Sequence, residues 1–177
     1  MEVFEVIKKR RSIRKYKDIP VEEDKINKII EAAILAPSAS NGQPWRFVVV
    51  KDKNLLTKIV KETFGFINQW AISAPLIIVG CSVRSNIITH YLGEVASGIK
   101  YHILDMGIAL EHIVLEAEEL GLSSCWIGWF SEKRIKKILN INSTWRVISL
   151  ITIGYSDESF SPAPRRRLAL EKILTIK

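Results

Sequence analysis

Apolar residues along this chain follow two rhythms, one stepping by three and four and one running without a break. Ile26, Ile29, Ile30 and Ala33 stand at i, i+3, i+4 and i+7, which predicts a helix over about 21–35 with one buried face. Glu22, Glu23 and Asp24 suit the positive end of its dipole, and Pro37 closes it. Ile103, Met106, Gly107, Leu110, Ile113, Val114 and Ala117 repeat the rhythm and predict the longest helix, over about 100–120, ended by Gly121. Gly107, in that stripe, reads as a buried point of close helix packing, a common feature of subunit interfaces. Shorter helices are expected over 3–9, 54–63 and 131–139. The unbroken runs 47–50, 76–80, 125–129 and 147–153 read as strands, and 76–80 as a central one covered on both faces. Between Cys81 and the long helix the pattern is less regular. Beyond Tyr155 the chain turns polar and rich in Pro and Arg before a closing apolar stretch, 168–176. Such a tail crosses a surface, and in a homodimer it can embrace the partner. Helices outnumber strands without strict β-α-β alternation, so the class is α+β.

At 177 residues the chain is expected to form one domain, 1–177, with a proper core. Its 47% hydrophobic and 25% charged content is ordinary for a soluble globular protein. No apolar run reaches bilayer length, and the first residues, Met1-Glu2-Val3-Phe4-Glu5, do not read as a secretory leader. Cys81 and Cys125 lie far apart with no CxxC and no metal-ligand pattern, which predicts two buried thiols in strands and no metal site. A cytoplasmic location is the expectation that follows.

Charge sharpens the picture. The net charge is +7, which invites a nucleic-acid reading. Yet Arg10, Arg11, Arg14 and Arg165, Arg166, Arg167 carry six of those charges between them, leaving a surplus of one. Two compact clusters ask for a local anion rather than a polyanion in a groove. Arginine forks match phosphate oxygens, and such charge-assisted bonds are strong. In Arg10-Arg11-Ser12-Ile13-Arg14, three guanidinium groups and a hydroxyl stand within five residues. Ala36-Pro37-Ser38-Ala39-Ser40-Asn41-Gly42-Gln43-Pro44-Trp45 then offers small residues that let backbone approach a flat ligand. Asn41 and Gln43 in it both donate and accept. A phosphate clamp beside a polar, ring-sized slot suits a mononucleotide cofactor. Taken singly, the first segment also reads as a solvated basic helix end and the second as a loop between helix and strand.

Together with Gly121-Leu122 leading to Cys125-Trp126-Ile127-Gly128, and Gly154-Tyr155 followed by Pro164-Arg165, these segments resemble the nitroreductase-like, FMN-dependent oxidoreductases. The resemblance spans essentially the whole chain. It implies an α+β sandwich with a mostly antiparallel sheet flanked by helices, and a homodimer holding FMN at the subunit interface. Position by position, it implies that Arg10 and Ser12 bind phosphate and ribityl, beside Arg11. It places Arg14 near N1 and O2 of the isoalloxazine, where a fixed cation stabilises the reduced ring. Pro37, Ser38, Ala39 and Asn41 would come from the partner subunit and line the ring and phosphate end, and Gln43 would also bind the cofactor. Trp126, Ile127 and Gly128 would lie against one ring face. Arg165, with Arg167 assisting or replacing it, would bind phosphate. Gln69 would contact the flavin edge, with Asn68 an equal alternative.

The implied activity is hydride transfer from NADH or NADPH through flavin N5 to an electron-poor small molecule, a nitroaromatic or quinone, by ping-pong turnover. No side chain is needed as acid, base or nucleophile, and no nucleic acid or membrane partner is implied. Two other readings stay open: a flavin-binding sensor or store without turnover, and a flavin-dependent dehalogenase or flavin-cleaving relative. His102 and His112 read as surface or core-satisfying residues, while His90 and Tyr91 lie where the resemblance places a substrate channel. Trp129 with Trp126 flanks Gly128, where an aromatic can narrow a pocket or stack on a planar substrate.

Overall fold

The computed structural model describes residues 1–84, 88–157 and 165–177. Pro164 of the arginine-rich segment and the side chain of His90 lie outside the described residues. In chain order the elements are α1 (Val3–Lys9), α2 (Glu23–Ile34), β1 (Trp45–Val50), α3 (Lys53–Thr63), β2 (Leu76–Val83), α4 (Ile88–Ser97), α5 (Tyr101–Glu119), β3 (Ser123–Ile127), α6 (Glu132–Leu139) and β4 (Trp145–Gly154). Short 3-10 turns cover Ala39–Asn41, Phe66–Ser73 and Leu170–Lys172.

The strands form one antiparallel sheet in the order β1-β2-β4-β3. β2 is central and buried along nearly its whole length, as its unbroken apolar run predicts. Alternation along it feeds two cores. Leu76 and Ile78 join α2 and α5 on one face, while Ile77, Val79 and Cys81 join α3 and α6 on the other. The molecule is therefore an α/β/α sandwich built on an antiparallel sheet.

Local chemistry sets the ends. Asp52 caps α3 by accepting the Leu55 N–H at 2.7 Å. Gly121 ends α5 at φ +75°, and Leu122 returns its N–H to the Ala117 carbonyl at 2.8 Å. Gly80 lets α5 sit directly on the sheet, since a Cβ there would meet Leu110 at 2.8 Å and Met106 at 2.9 Å. Gly107 does not make that approach to the sheet: it is half-buried rather than buried, and a Cβ there would meet nothing within 4 Å in this single chain. Helix phase explains the difference: Met106, Ala109, Leu110, Ile113 and Ala117 face the sheet and Gly107 turns beside them. α4, in the irregular stretch, is a second departure from the sequence reading; 90–97 lacks a continuous apolar stripe.

Both cysteines are free and buried in strands. Among the described residues no group of His, Cys, Asp and Glu is placed to hold a metal ion. No described helix is long and apolar enough to cross a membrane.

Candidate functional site

Residues 10–16 leave α1 and run beside the far edge of the sheet. Ser12 bridges Ser124 in parallel, Ile13 donates its N–H to the Ser124 carbonyl at 3.0 Å, and Tyr16 bridges Ser156. Ile13 and Tyr16 point inward and are buried with Ala74, against Trp70. Ser12 is half-buried and Arg14 is exposed. Burial pushes the Tyr16 phenol far above its ordinary value, and its hydroxyl lies 2.8 Å from the Thr152 hydroxyl. The segment is thus anchored through Ile13 and Tyr16.

The two arginine clusters meet here. Arg165 donates to the Arg10 carbonyl and, at 3.2 Å, to that of Ile7, so the tail is tied to the exit of α1. Desolvation, then the charges of Arg167, Arg10 and Arg11, lower the Arg165 pKa from its ordinary value, against the pull of Glu118. Positive charge is crowded at this spot beyond what its neighbours neutralise. The Arg10 Nε is buried and has no hydrogen-bond partner, and an orphaned charged donor of that kind is costly. An anion with several acceptor oxygens answers both facts. Arg167 is exposed and turns one guanidinium N–H onto the neighbouring Arg166 carbonyl at 2.8 Å.

Arg14 stands over the Trp70 ring, 5.8 Å from its centroid. Its charge is also felt by Cys125, whose thiol pKa burial raises and Arg14, Ser12 and Arg10 pull back down. Trp126 is half-buried in β3, Ile127 is buried beside it, and Gly128 is exposed just past the strand, with nothing within 4 Å of its Cβ position. Bare backbone is therefore offered at the end of β3, next to an exposed Trp129.

The 36–45 loop is held open by its own contacts. Ser40, Asn41 and Gln43 all have positive φ, at 46°, 52° and 43°, a conformation that costs non-glycine residues energy. The Ser38 hydroxyl accepts the Gln43 N–H at 3.0 Å, the Asn41 amide oxygen accepts from the Gln43 amide at 3.1 Å, and Pro37 is exposed. Ala39 donates its N–H to Asp105 at 3.2 Å, a carboxylate buried in α5. The sequence reading missed Asp105; its signal was a charge set inside the apolar stripe of a helix.

The structure brings Arg10, Arg11, Ser12, Arg14, Arg165 and Arg167 to one side, with β3 and its exit. It fastens the Pro37–Gln43 group elsewhere. Asp105, which holds that group, and Glu118, which faces Arg10 and Arg165, are separated along α5 by about 20 Å at ~1.5 Å rise per residue. Gln69 turns its amide onto the Val60 and Gly65 carbonyls at 3.2 and 3.0 Å, whereas Asn68 donates to the Trp129 carbonyl at 3.1 Å. His102 faces Glu94 at 3.1 Å and His112 faces the Ala32 carbonyl at 3.0 Å, the satisfied roles expected of them.

The family model described as the nitroreductase family matches residues 7–155. Among solved structures, an FMN-dependent nitroreductase from Clostridium difficile R20291 is similar at 35% identity and TM-score 0.79, covering 97% of this chain and 98% of that one. A nitroreductase family protein from Clostridium novyi NT is similar at 34% identity and TM-score 0.79, covering 90% of this chain and 87% of that one. The FMN reductase [NAD(P)H] of Bacillus subtilis is 29% identical over 93% of this chain and 70% of its own length.

Proposed function

This chain belongs to the nitroreductase family, and on that premise we propose how it works as an NAD(P)H-dependent FMN oxidoreductase. FMN, held by the residues named below, would supply the redox chemistry, hydride transfer from NADH or NADPH to an electron-poor nitroaromatic or quinone in alternating half-reactions. The observation that carries the reading is the buried, partnerless Arg10 Nε amid crowded guanidinium groups. A phosphate monoester fits it.

Arg10, Arg165 and the Ser12 hydroxyl hold that phosphate end, with Arg11 beside them and Arg167 supporting. Arg14 sits at the ring end, where a cation favours the reduced, negatively charged flavin. Trp126, Ile127 and bare Gly128 lie against one ring face and leave the other for nicotinamide and acceptor in turn. Pro37, Ser38, Ala39, Asn41 and Gln43 would complete the site from a second copy of the chain; in support, Ala39 is tied to Asp105, about 20 Å along α5 from the Glu118 that feels the Arg10 and Arg165 charges.

No proton-transferring side chain is required; the protein positions, desolvates and supplies charge. Visible absorption of the purified protein, before and after anaerobic NADH, tests the reading. Bands near one FMN per chain that bleach with NADH are expected. A colourless protein that cannot be reconstituted with FMN would overturn it, and bound flavin that no nicotinamide reduces would favour a non-catalytic flavin protein.

A further inference from the structure

Resting on that reading of Arg14, we propose that Trp70 is a positioning residue for the flavin, holding the Arg14 guanidinium by its ring face so that the charge stays fixed at the ring end. Arg14 lies 5.8 Å from the centroid of Trp70, within the range of cation–π attraction. Among the described residues no carboxylate forms an ion pair with Arg14. An exposed arginine without an ion-pair partner samples many rotamers, and a mobile charge stabilises a nearby anion less than a fixed one. A carboxylate partner would fix it but cancel its charge. An aromatic face fixes the guanidinium and leaves the charge in place.

Trp70 is built to serve as such a platform. It packs at once against Ile13, Tyr16 and Ala74 and against the α3/α6 core. Its carbonyl accepts the Ser73 hydroxyl at 3.0 Å. Adjacent Gln69 bonds two backbone carbonyls, which fixes the turn that carries the ring. The other groups facing Arg14 are the Cys125 thiol and the Tyr16 phenol, both held in their neutral forms by burial. Neither offers a competing negative charge.

The test is the midpoint potential of bound FMN, measured by equilibration with redox dyes, in the wild type and in Trp70→Leu, Trp70→Phe and Arg14→Ala. Trp70→Leu is expected to reduce the preference for reduced over oxidised FMN about tenfold, a fall of about 30 mV for a two-electron couple, while affinity for oxidised FMN changes less than about twofold. Trp70→Phe should recover most of the loss. An unchanged potential in Trp70→Leu, or equal losses in the Leu and Phe variants, would overturn the role of Trp70.

Arg14→Ala separates the two layers of the argument. If it lowers the potential while Trp70→Leu does not, only the positioning role fails. If it leaves the potential unchanged, the ring-end assignment of Arg14 fails and the proposal with it. Should Trp70→Leu not fold, fluorinated tryptophan serves instead, because fluorine weakens the ring's attraction for cations with little change of shape. The potential should fall stepwise with fluorination, and further in the wild type than in Trp70→Phe, whose change reports the remaining tryptophans, Trp126 among them; an equal fall in both, or none in the wild type, overturns the proposal.

Discussion

At the scale of single residues the proposed function is tested most sharply at Arg10. A hydrogen bond to a charged group is worth about 1.5–3 kcal/mol, so Arg10→Ala should weaken FMN binding about 10- to 150-fold. Flavin fluorescence titration of the apoprotein reads this directly; an Arg10→Ala protein that purifies with full flavin contradicts the phosphate role. Gly154 shows the opposite kind of dependence, on an absent side chain. A Cβ there would come within 2.6 Å of the Pro75 ring, a stiff neighbour, and Gly154→Ala should destabilise by about 1–3 kcal/mol, measurable as a lower urea midpoint at unchanged slope. The burial of Cys81 and Cys125 was legible from type and strand context. The pairing of Arg165 with Arg10 was not, because nothing local ties residues so far apart; only the resemblance to a family pointed there.

At the scale of elements, period and length decided what the sequence revealed. α2 and α5 announce themselves by an apolar face, and β2 by an unbroken run that no solvent-facing strand would carry. α4 and the 3-10 turn Phe66–Ser73 did not, since short segments of mixed polarity take their shape from neighbours. The Asp52 cap is a local signal with a local cost: Asp52→Ala should lose about 0.5–2 kcal/mol of stability, visible in thermal unfolding. The N-terminus of α2 is held by a contact that answers to pH. The Tyr155 hydroxyl donates to both Glu22 oxygens and accepts from Lys25. The Tyr155 bond, chiefly, lowers the Glu22 pKa below its ordinary 4.5. A carboxylate depressed in the folded state adds stability above its unfolded pKa and loses it as pH falls through the folded one. Denaturant midpoints taken between pH 7 and pH 3 should therefore fall less steeply in Tyr155→Phe than in the wild type, by a small amount because Glu22 is exposed.

At the scale of the whole molecule, the proposed shared site requires a second copy of the chain. The two groups proposed to bind one cofactor are tied to opposite parts of α5, one through Asp105 and the other beside Glu118, and large apolar side chains are exposed on the tail, among them Leu168, Leu170, Ile173 and Ile176. Apolar patches on that scale mark interaction surfaces. Light scattering should give twice the 20.1 kDa chain mass, and dilution into monomers should release flavin in step with dissociation. Flavin retained by a monomer would contradict the shared site.

The segment that bridges Ser12 to Ser124 has a consequence for handling the protein. β3 is an outer strand of the sheet, and residues 12–13 close part of its free edge. Open edges of apolar strands template intermolecular pairing. Trimming the chain to begin after Arg14 would remove three arginines and strip that cover in one cut. Such a chain should lose its colour and its solubility together, so a purification that yields pale, aggregating material calls for inspection of the N-terminus by intact-mass measurement before any change of buffer.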